Sequence, residues 1–107
     1  MIRGMTEGEY IFAWSLNGQQ HFDDGDYEWI CNKIRQIPSE NPLNHILEIG
    51  CGAGYSTLAF VLRGFEVFAI DMKEEAIEST RKLLEKNNCS PGRNIVRLYR
   101  ADFADVR

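Results

Sequence analysis

Three glycines follow an apolar run in the stretch ILEIGCGAGYS, at positions 50, 52 and 54. Glycine adopts positive φ without strain and leaves no Cβ between the backbone and a bound molecule. A turn of this kind between a strand and a helix directs free backbone N–H groups at one point, where a ligand can bind. A tight turn without a ligand is the alternative, but such a turn does not require three glycines within five residues. The loop therefore indicates a ligand site.

Acidic residues close the two apolar stretches that follow this loop. Asp71 ends FEVFAID, 21 residues after Gly50, and Asp102 follows IVRLYRA. A carboxylate at the end of the second strand can accept hydrogen bonds from both hydroxyls of a ribose. Asp71 can also cap the helix that follows it, and the two roles can coexist. These positions favour a ligand that contains a nucleoside.

The spacing of the glycines does not fit the dinucleotide pattern G-x-G-x-x-G. Counted from Gly50 the third glycine falls at Tyr55, and counted from Gly52 it falls at Thr57. The stretch from Glu48 to Gly54 reads instead E-x-G-x-G-x-G. It resembles motif I of the class I S-adenosylmethionine-dependent methyltransferases, whose cofactor has a ribose, an adenine and a charged amino-acid end but no pyrophosphate. The resemblance extends over roughly residues 45–103.

This resemblance implies roles for individual residues. Glu48 orients the loop and faces the methionine end of the cofactor, S-adenosylmethionine. Asp102 accepts a hydrogen bond from the adenine amino group, and the backbone N–H of Phe103 meets the ring. The predicted cofactor-binding residues are Glu48, Gly50, Cys51, Gly52, Gly54, Asp71, Met72, Asp102 and Phe103. In this family most of the residues that orient the methyl acceptor lie beyond the third strand, so the sequence assigns no catalytic residue and no acceptor.

The cysteines and histidines do not form a reactive or metal-binding pattern. Cys51 occupies a position where small residues are usual in the family, and we interpret it as a packing residue and not as a nucleophile. The three cysteines lack a CxxC pair, which predicts no metal site and favours reduced thiols in a cytoplasm. His45 is expected to open the first strand at the surface, and His21 could line a pocket.

The elements that must position these residues follow one another as β-α-β-α-β over residues 45–107. HILEI, FEVFAID and IVRLYRAD are the strands, and residues 54–63 and 74–87 are the helices, the second with Ala76, Thr80, Leu83 and Leu84 on one face. This order predicts an α/β, Rossmann-like parallel sheet with the spatial order 3-2-1. Its strand ends bring the glycine loop and the two acids together.

Residues 1–44 are predicted to form a lid over the cofactor mouth or part of the core. Asn17-Gly18 follows the aromatic residues Tyr10, Phe12 and Trp14 and is a hairpin signal, with a helix over residues 7–16 as the alternative. A helix is expected over residues 26–37, capped by Asp24 or Asp26 and ended by Pro38. The residues predicted to share its apolar face are Tyr27, Ile30, Ile34 and Ile37.

The predicted sheet is incomplete. Two right-handed crossovers in one direction place both helices on the same face, whereas parallel strands normally have both faces covered. The second strand is apolar on both, with Val67 and Ala69 on one and Phe68 and Ile70 on the other. We therefore expect either further residues of a longer product or another chain to complete the sheet. Alone, the chain is expected to self-associate as a two-fold dimer, unless the segment up to Phe22 covers the bare face.

Composition narrows the function classes. The chain has 107 residues, of which 44% are hydrophobic and 26% charged, as in an ordinary small globular domain. Its net charge is −4 without a basic stretch, so nucleic-acid binding is not indicated, and no signal peptide or membrane span is predicted. The first hypothesis is the cofactor-binding region of an S-adenosylmethionine-dependent methyltransferase, and the alternative is a non-catalytic S-adenosylmethionine-binding or dimerising module. A third, half of an NAD-type oxidoreductase, is disfavoured by Tyr55.

Overall fold

A three-stranded parallel sheet forms the centre of the molecule. The computed structural model describes residues 18–38, 40, 44–89 and 96–101. Within them the strands are, in chain order, β1 (His45–Ile49), β2 (Glu66–Asp71) and β3 (Val96–Arg100). β2 lies in the middle, with Val67 opposite Ile46 of β1 and Val96 of β3. The α/β class, the parallel pairing and the strand order predicted from the sequence are confirmed.

The helices with both ends inside the described residues are α1 (Asp26–Arg35), α2 (Tyr55–Leu62) and α3 (Glu74–Lys86), and residues 18–23 are also helical. α2 and α3 contact the strands, and α1 packs on α2. Together they enclose a core on one face of the sheet, made by Cys31, Cys51, Leu58, Phe60, Phe65, Val67, Ala69, Leu84 and Val96. None of the helices in the described ranges is long and apolar enough to cross a membrane.

Glycines set the ends of α2, and apolar spacing sets the buried face of α3. Gly54, at φ 96°, precedes α2, and Gly64, at φ 87°, follows it, as the sequence predicts. On α3, Ala76, Thr80 and Leu84 are buried and Leu83 is partly buried against the core, which confirms the predicted face. On its exposed side, Arg81 forms ion pairs with Glu78 and Glu85.

The face of the sheet opposite the helices carries apolar side chains that remain exposed in the described part of the chain. Leu47, Ile49, Phe68 and Tyr99 are 58%, 56%, 39% and 46% exposed. The strand register places them on one side, because Leu47 pairs with Phe68, and Ile70 lies between Ile49 and Tyr99. The rings of Phe68 and Tyr99 stack with centroids 4.6 Å apart. We call these four side chains the open face.

The hairpin predicted at Asn17-Gly18 is wrong in its second arm. Residues 18–23 are helical, and the first arm, with the aromatic residues up to position 14, lies outside the described residues. The side-chain amide of Gln20 donates to the Asp24 carboxylate at 3.0 Å, an i,i+4 contact that stabilises a helical turn. Phe22 packs edge-on against Tyr55 and beside the core, so it belongs to the helical side of the sheet and not to the open face.

Helix α1 begins where it was expected and ends at Arg35, two residues before the predicted end. Part of its predicted face meets the core, because Ile34 packs there and Tyr27 is half-buried. The helix begins after Gly25, which has φ 79°, and the predicted side-chain cap from Asp24 or Asp26 is not formed. Cys31 is the buried residue of this helix, whereas Ile30 and Ile37 are 38% and 53% exposed. Contacts with α2 and its C-terminal turn set this rotation.

Two arginines make those contacts. Arg35 of α1 donates to the Arg63 carbonyl at 2.9 Å, and its guanidinium lies 4.3 Å from the centroid of the Phe65 ring. Arg63 in turn forms an ion pair with Glu28 of α1, with 2.5 Å between nitrogen and oxygen. These interactions are long-range in sequence, so the local apolar period of α1 did not reveal them.

Candidate functional site

The carboxyl ends of the three strands meet at one edge of the sheet. The N–H of Gly50, directly after β1, donates to the Ile70 carbonyl at 2.7 Å, and the N–H of Ala101, directly after β3, donates to the Asp71 carbonyl at 2.9 Å. The glycine loop therefore leaves the sheet next to Asp71. Asp102 and Phe103 follow Ala101 but lie outside the described residues.

The glycines of this loop all adopt positive φ, for different reasons. Their φ angles are 82° at Gly50, 56° at Gly52 and 96° at Gly54. A Cβ at position 54 would lie 2.7 Å from the Cα of Thr80, so glycine is needed there for α2 and α3 to pack. A Cβ at position 50 would have no atom within 4 Å. Gly50 thus leaves open space beside exposed backbone, where a ligand can approach.

Asp71 links the glycine loop to the start of α3. Its carboxylate accepts hydrogen bonds from the N–H of Gly52 at 3.1 Å and from the N–H of Lys73, the residue before α3, at 3.0 Å. The side chain is only 7% exposed. Each of these bonds uses a different oxygen, and a carboxylate has about four acceptor sites. Asp71 therefore fixes the local backbone and keeps lone pairs for hydroxyl donors.

Glu48 holds the first turn of α2 against β1. Its two carboxylate oxygens accept hydrogen bonds from the hydroxyls of Ser56 and Thr57. Burial raises the pKa of the Glu48 carboxyl above its usual value; the two hydroxyl donors lower this pKa, and the charge of Asp71 raises it. The sequence pattern did not identify Ser56 and Thr57 as the partners of Glu48.

Cys51 lies inside the core, and its chemistry is suppressed there. The side chain is 4% exposed, and burial raises the pKa of the thiol to about 11, with further raising by Asp71 and Glu48. Because the thiolate is the nucleophilic form, this environment suits packing. The hydroxyl of Thr80 lies 3.4 Å from the Cys51 sulfur and 3.2 Å from the Gly52 carbonyl, to which it donates.

Thr80 is thus a second supporting residue of the loop, although the sequence indicated only a buried position on α3. It is fully buried, and its hydroxyl joins the third helix to the loop after the first strand. The one signal in the sequence is that Thr80, a polar residue, lies on the otherwise apolar face of this helix.

Two hollows lie on either side of Gly50. The first, about 170 Å³, is lined by the glycine loop and by two residues from the N-terminal region: Gly18, Tyr27, Gly50, Cys51, Gly52, Ala53, Gly54, Tyr55 and Ser56. The second, about 290 Å³, is mostly apolar and is lined by Ile49, Gly50, Ile70, Asp71, Met72, Lys73 and Ala101. We call them the loop hollow and the strand-end hollow. Gly18 and Tyr27 were not predicted, because no local pattern connects them with a loop more than 20 residues away.

The histidines lie elsewhere. His45 stands at the exposed start of β1, where its Nε2 is 2.7 Å from the Glu66 carboxylate. His21 pairs with Asp26 at 2.7 Å and lines a surface hollow of the N-terminal region together with Tyr27, Trp29 and Ile30. Neither histidine lines the loop hollow or the strand-end hollow.

The family model described as "Methyltransferase domain" matches residues 46–107, which begin within β1 and include the loop and Asp71. Among curated proteins, peramine synthetase ppzA of Metarhizium majus is 29% identical over 79 residues, which are 71% of this chain and 3% of that protein. Ubiquinone biosynthesis O-methyltransferase of Rickettsia prowazekii is 30% identical over 78 residues, which are 69% of this chain and 31% of that protein.

A solved structure shares the fold. The crystal structure of a SAM-dependent methyltransferase from Agrobacterium tumefaciens superposes with a TM-score of 0.59 at 20% identity, covering 76% of this chain and 24% of that one. The chain thus spans less than a third of the length of each of these relatives.

Proposed function

Because the chain belongs to the methyltransferase domain family, within the class I S-adenosylmethionine-dependent enzymes, we propose that it binds S-adenosylmethionine at the glycine loop and forms the cofactor-binding part of a methyltransferase. The observation that carries the proposal is the hydrogen bond between Asp71 and the N–H of Gly52, at 3.1 Å. It joins a buried carboxylate to the glycine loop beside Gly50, which borders both hollows at the edge of the sheet where ligands of such folds bind.

The strand-end hollow suits the adenosine part of the cofactor. Ile49, Ile70 and Met72 give it apolar walls against which an adenine can lie, and the Asp71 carboxylate borders it with lone pairs for ribose hydroxyls. Met72 is 54% exposed, so its side chain is accessible to a ligand. Asp102 and Phe103 directly follow Ala101, which lines the same hollow, and we assign them to the adenine edge.

The loop hollow suits the amino-acid end of the cofactor. Free N–H groups at the start of α2 favour a carboxylate, both by hydrogen bonding and through the helix dipole. Glu48 lies beneath this loop and brings a negative charge that favours an ammonium group. Gly50 belongs to both hollows, so one elongated ligand can cross it.

When bound, S-adenosylmethionine supplies a methyl group activated by the positive charge of its sulfonium. The residues of this chain bind the cofactor and thereby orient its methyl group. Three side chains keep the loop in one conformation. Glu48 accepts hydrogen bonds from the hydroxyls of Ser56 and Thr57. Thr80 donates to the Gly52 carbonyl, and Asp71 accepts from the Gly52 N–H. Preorganisation of this kind lowers the entropic cost of binding.

We further propose that a second copy of the chain, or the remaining residues of a longer product, covers the open face. Its four side chains form an apolar surface of the kind that soluble monomers rarely leave exposed. This feature also favours the second candidate function, a non-catalytic S-adenosylmethionine-binding or dimerising module.

We assign the protein to the cytoplasm, since Cys31, Cys51 and Cys89 are free thiols, the form that a reducing compartment maintains.

Isothermal titration calorimetry with S-adenosylmethionine and, separately, NADH tests the proposal. We expect S-adenosylmethionine to bind and NADH not to, because the glycine spacing does not fit a pyrophosphate. At a hundredfold excess over its dissociation constant, the bound cofactor stabilises the fold by about 2.7 kcal/mol. Binding of NADH without binding of S-adenosylmethionine would refute the proposed cofactor.

A further inference from the structure

We infer that the hydroxyl of Tyr27 hydrogen-bonds the amino-acid end of the cofactor, so that helix α1 and the glycine loop recognise it together. The inference rests on the proposed function and adds a specificity-determining residue to that site. Tyr27 lies in the N-terminal region, outside residues 46–107 that match the family model.

The position of Tyr27 is the first argument. It lines the loop hollow together with Gly18 and the residues from Gly50 to Ser56. It is half-buried on α1, a helix that packs on α2 directly after the loop. A residue from the N-terminal region with a hydroxyl thus forms part of the wall of a hollow whose remaining lining includes four glycines.

Specific contacts hold this region against the loop. A Cβ at Gly18 would lie 3.1 Å from the Cδ2 of Tyr55, so the absence of a side chain at position 18 allows close approach to α2. The ring of Phe22 meets that of Tyr55 edge-on, with centroids 6.0 Å apart. In the first turn of α1, Glu28, the neighbour of Tyr27, pairs at 2.5 Å with Arg63, which follows the C-terminal end of α2. The location of Tyr27 is therefore fixed from both sides.

The electrostatic environment of Tyr27 suits a charged ligand group. Burial raises the pKa of its hydroxyl, and the charge of Glu48 raises it further, followed by that of Asp26. The hydroxyl consequently stays protonated and can donate one hydrogen bond and accept another. The amino-acid end of the cofactor presents a carboxylate and an ammonium, and hydrogen bonds to charged groups are stronger than those between neutral ones.

The two hollows differ in a way that decides which end of the cofactor Tyr27 meets. The strand-end hollow has apolar walls from Ile49, Ile70 and Met72, which suit a base. The loop hollow is lined mainly by residues of the glycine loop, and its hydroxyl-bearing residues are Tyr27, Tyr55 and Ser56, which suit charged groups. Tyr27 therefore discriminates ligands by their amino-acid end and is indifferent to their adenosine.

Calorimetric titration of the protein with two probes tests this inference. S-adenosylhomocysteine has the amino-acid end, and 5′-methylthioadenosine lacks it while keeping the adenosine. We expect Tyr27→Phe, which retains the ring, to weaken S-adenosylhomocysteine binding by about tenfold or more, the scale of a hydrogen bond to a charged group. The affinity for 5′-methylthioadenosine should change less than about twofold, since the variant alters nothing in the strand-end hollow.

Trp29→Phe is the matched control, because Trp29 lies on the same helix, is 62% exposed and does not line the loop hollow. It should leave both affinities unchanged. Unchanged S-adenosylhomocysteine affinity in Tyr27→Phe, or equal losses for both probes, overturns the role of Tyr27 while leaving the proposed function standing. If the wild type binds neither probe, the proposed function fails, and this inference fails with it.

Discussion

The carboxylate of Asp71 accepts a hydrogen bond from the backbone N–H of Gly52 at 3.1 Å. The acid that ends the second strand is thereby joined to the loop that follows the first. Because the same carboxylate also accepts from the N–H of Lys73, three segments of the chain depend on one side chain. Asp71 is consequently both a support of the site and the proposed partner of the ribose.

Substitution of Asp71 should affect cofactor binding and stability together. We expect Asp71→Ala to weaken S-adenosylmethionine binding by about 1.5–3 kcal/mol, the scale for hydrogen bonds to a charged acceptor, and to lower the free energy of unfolding because two backbone N–H groups lose their partner. Asp71→Asn keeps one acceptor oxygen and should lose less stability. Calorimetry and chemical denaturation measure the two effects.

Glu75→Ala serves as the control for Asp71, because it removes an exposed carboxylate from the first turn of α3 without touching the loop. It should leave the affinity unchanged. An Asp71→Ala protein that unfolds more easily yet binds S-adenosylmethionine as well as the wild type would leave Asp71 with a structural role alone.

Two glycine substitutions in the same loop should separate binding from stability. Gly50→Ala places a methyl group in open space at φ 82°, so we expect a backbone cost of about 1–2 kcal/mol and weaker cofactor binding. Gly54→Ala places it 2.7 Å from the Cα of Thr80 and should destabilise the fold by more than that. Thermal unfolding without ligand compares the two variants. The account is contradicted if Gly50→Ala is the less stable of the two and Gly54→Ala retains wild-type stability.

The raised pKa of Glu48 predicts a pH-dependent contribution to stability. In the folded protein the pKa of the Glu48 carboxyl lies above its ordinary value of 4.5, so the folded state binds this proton more tightly than the unfolded state does. The contribution of Glu48 to the free energy of unfolding therefore decreases as the pH rises from 4.5 through the raised pKa. Glu48→Gln has no such group, so its stability relative to the wild type should increase over that window. Denaturant unfolding at a series of pH values measures this difference, with Glu75→Gln as an exposed control.

A flat difference between Glu48→Gln and the wild type across these pH values would show that Glu48 titrates normally. A difference that grows toward low pH would reverse the sign and indicate that the hydrogen bonds from Ser56 and Thr57 outweigh burial. Either result would change the description of Glu48 as a carboxylate destabilised by its surroundings.

The open face should drive self-association. Burying a few hundred Å² of apolar surface is worth several kcal/mol at about 25 cal/mol per Å², a gain that opposes the entropic cost of association. Light scattering over a concentration series should show a mass that rises toward twice the monomer. Leu47→Glu should keep the protein monomeric, whereas Leu62→Glu, a matched change at a 54% exposed position of α2, should not. A constant monomer mass for the wild type with a sharp cooperative melt would disprove the dimer.

Local patterns in the sequence were sufficient for the regular elements of the sheet. The bounds of β1 coincide with HILEI, and glycines at 54 and 64 flank α2, because strand apolarity and positive φ are properties of single segments. Parallel pairing followed from the alternation of strands and helices. The proximity of the glycine loop and Asp71 followed from their positions at the ends of the first and second strands.

Tertiary contacts decided what the sequence could not show. The period of α1 suggested Ile30 as an inward residue, but ion pairs and packing with α2 place Cys31 inside instead. The Asn17-Gly18 signal was overridden because residues 18–23 form a helix that packs beside Tyr55. Thr80 is 28 residues from the Gly52 carbonyl to which it donates, and no short motif connects the two.

The central claim is that the cofactor lies across Gly50, between the loop hollow and the strand-end hollow. Titration of ¹⁵N-labelled protein with S-adenosylhomocysteine, followed by amide chemical shifts, tests it most directly. We expect the largest changes at Gly50, Gly52, Met72 and Ala101, and the smallest at Leu62 and Lys86, the far ends of α2 and α3. No saturable change, or changes that cluster away from the glycine loop, would contradict the account.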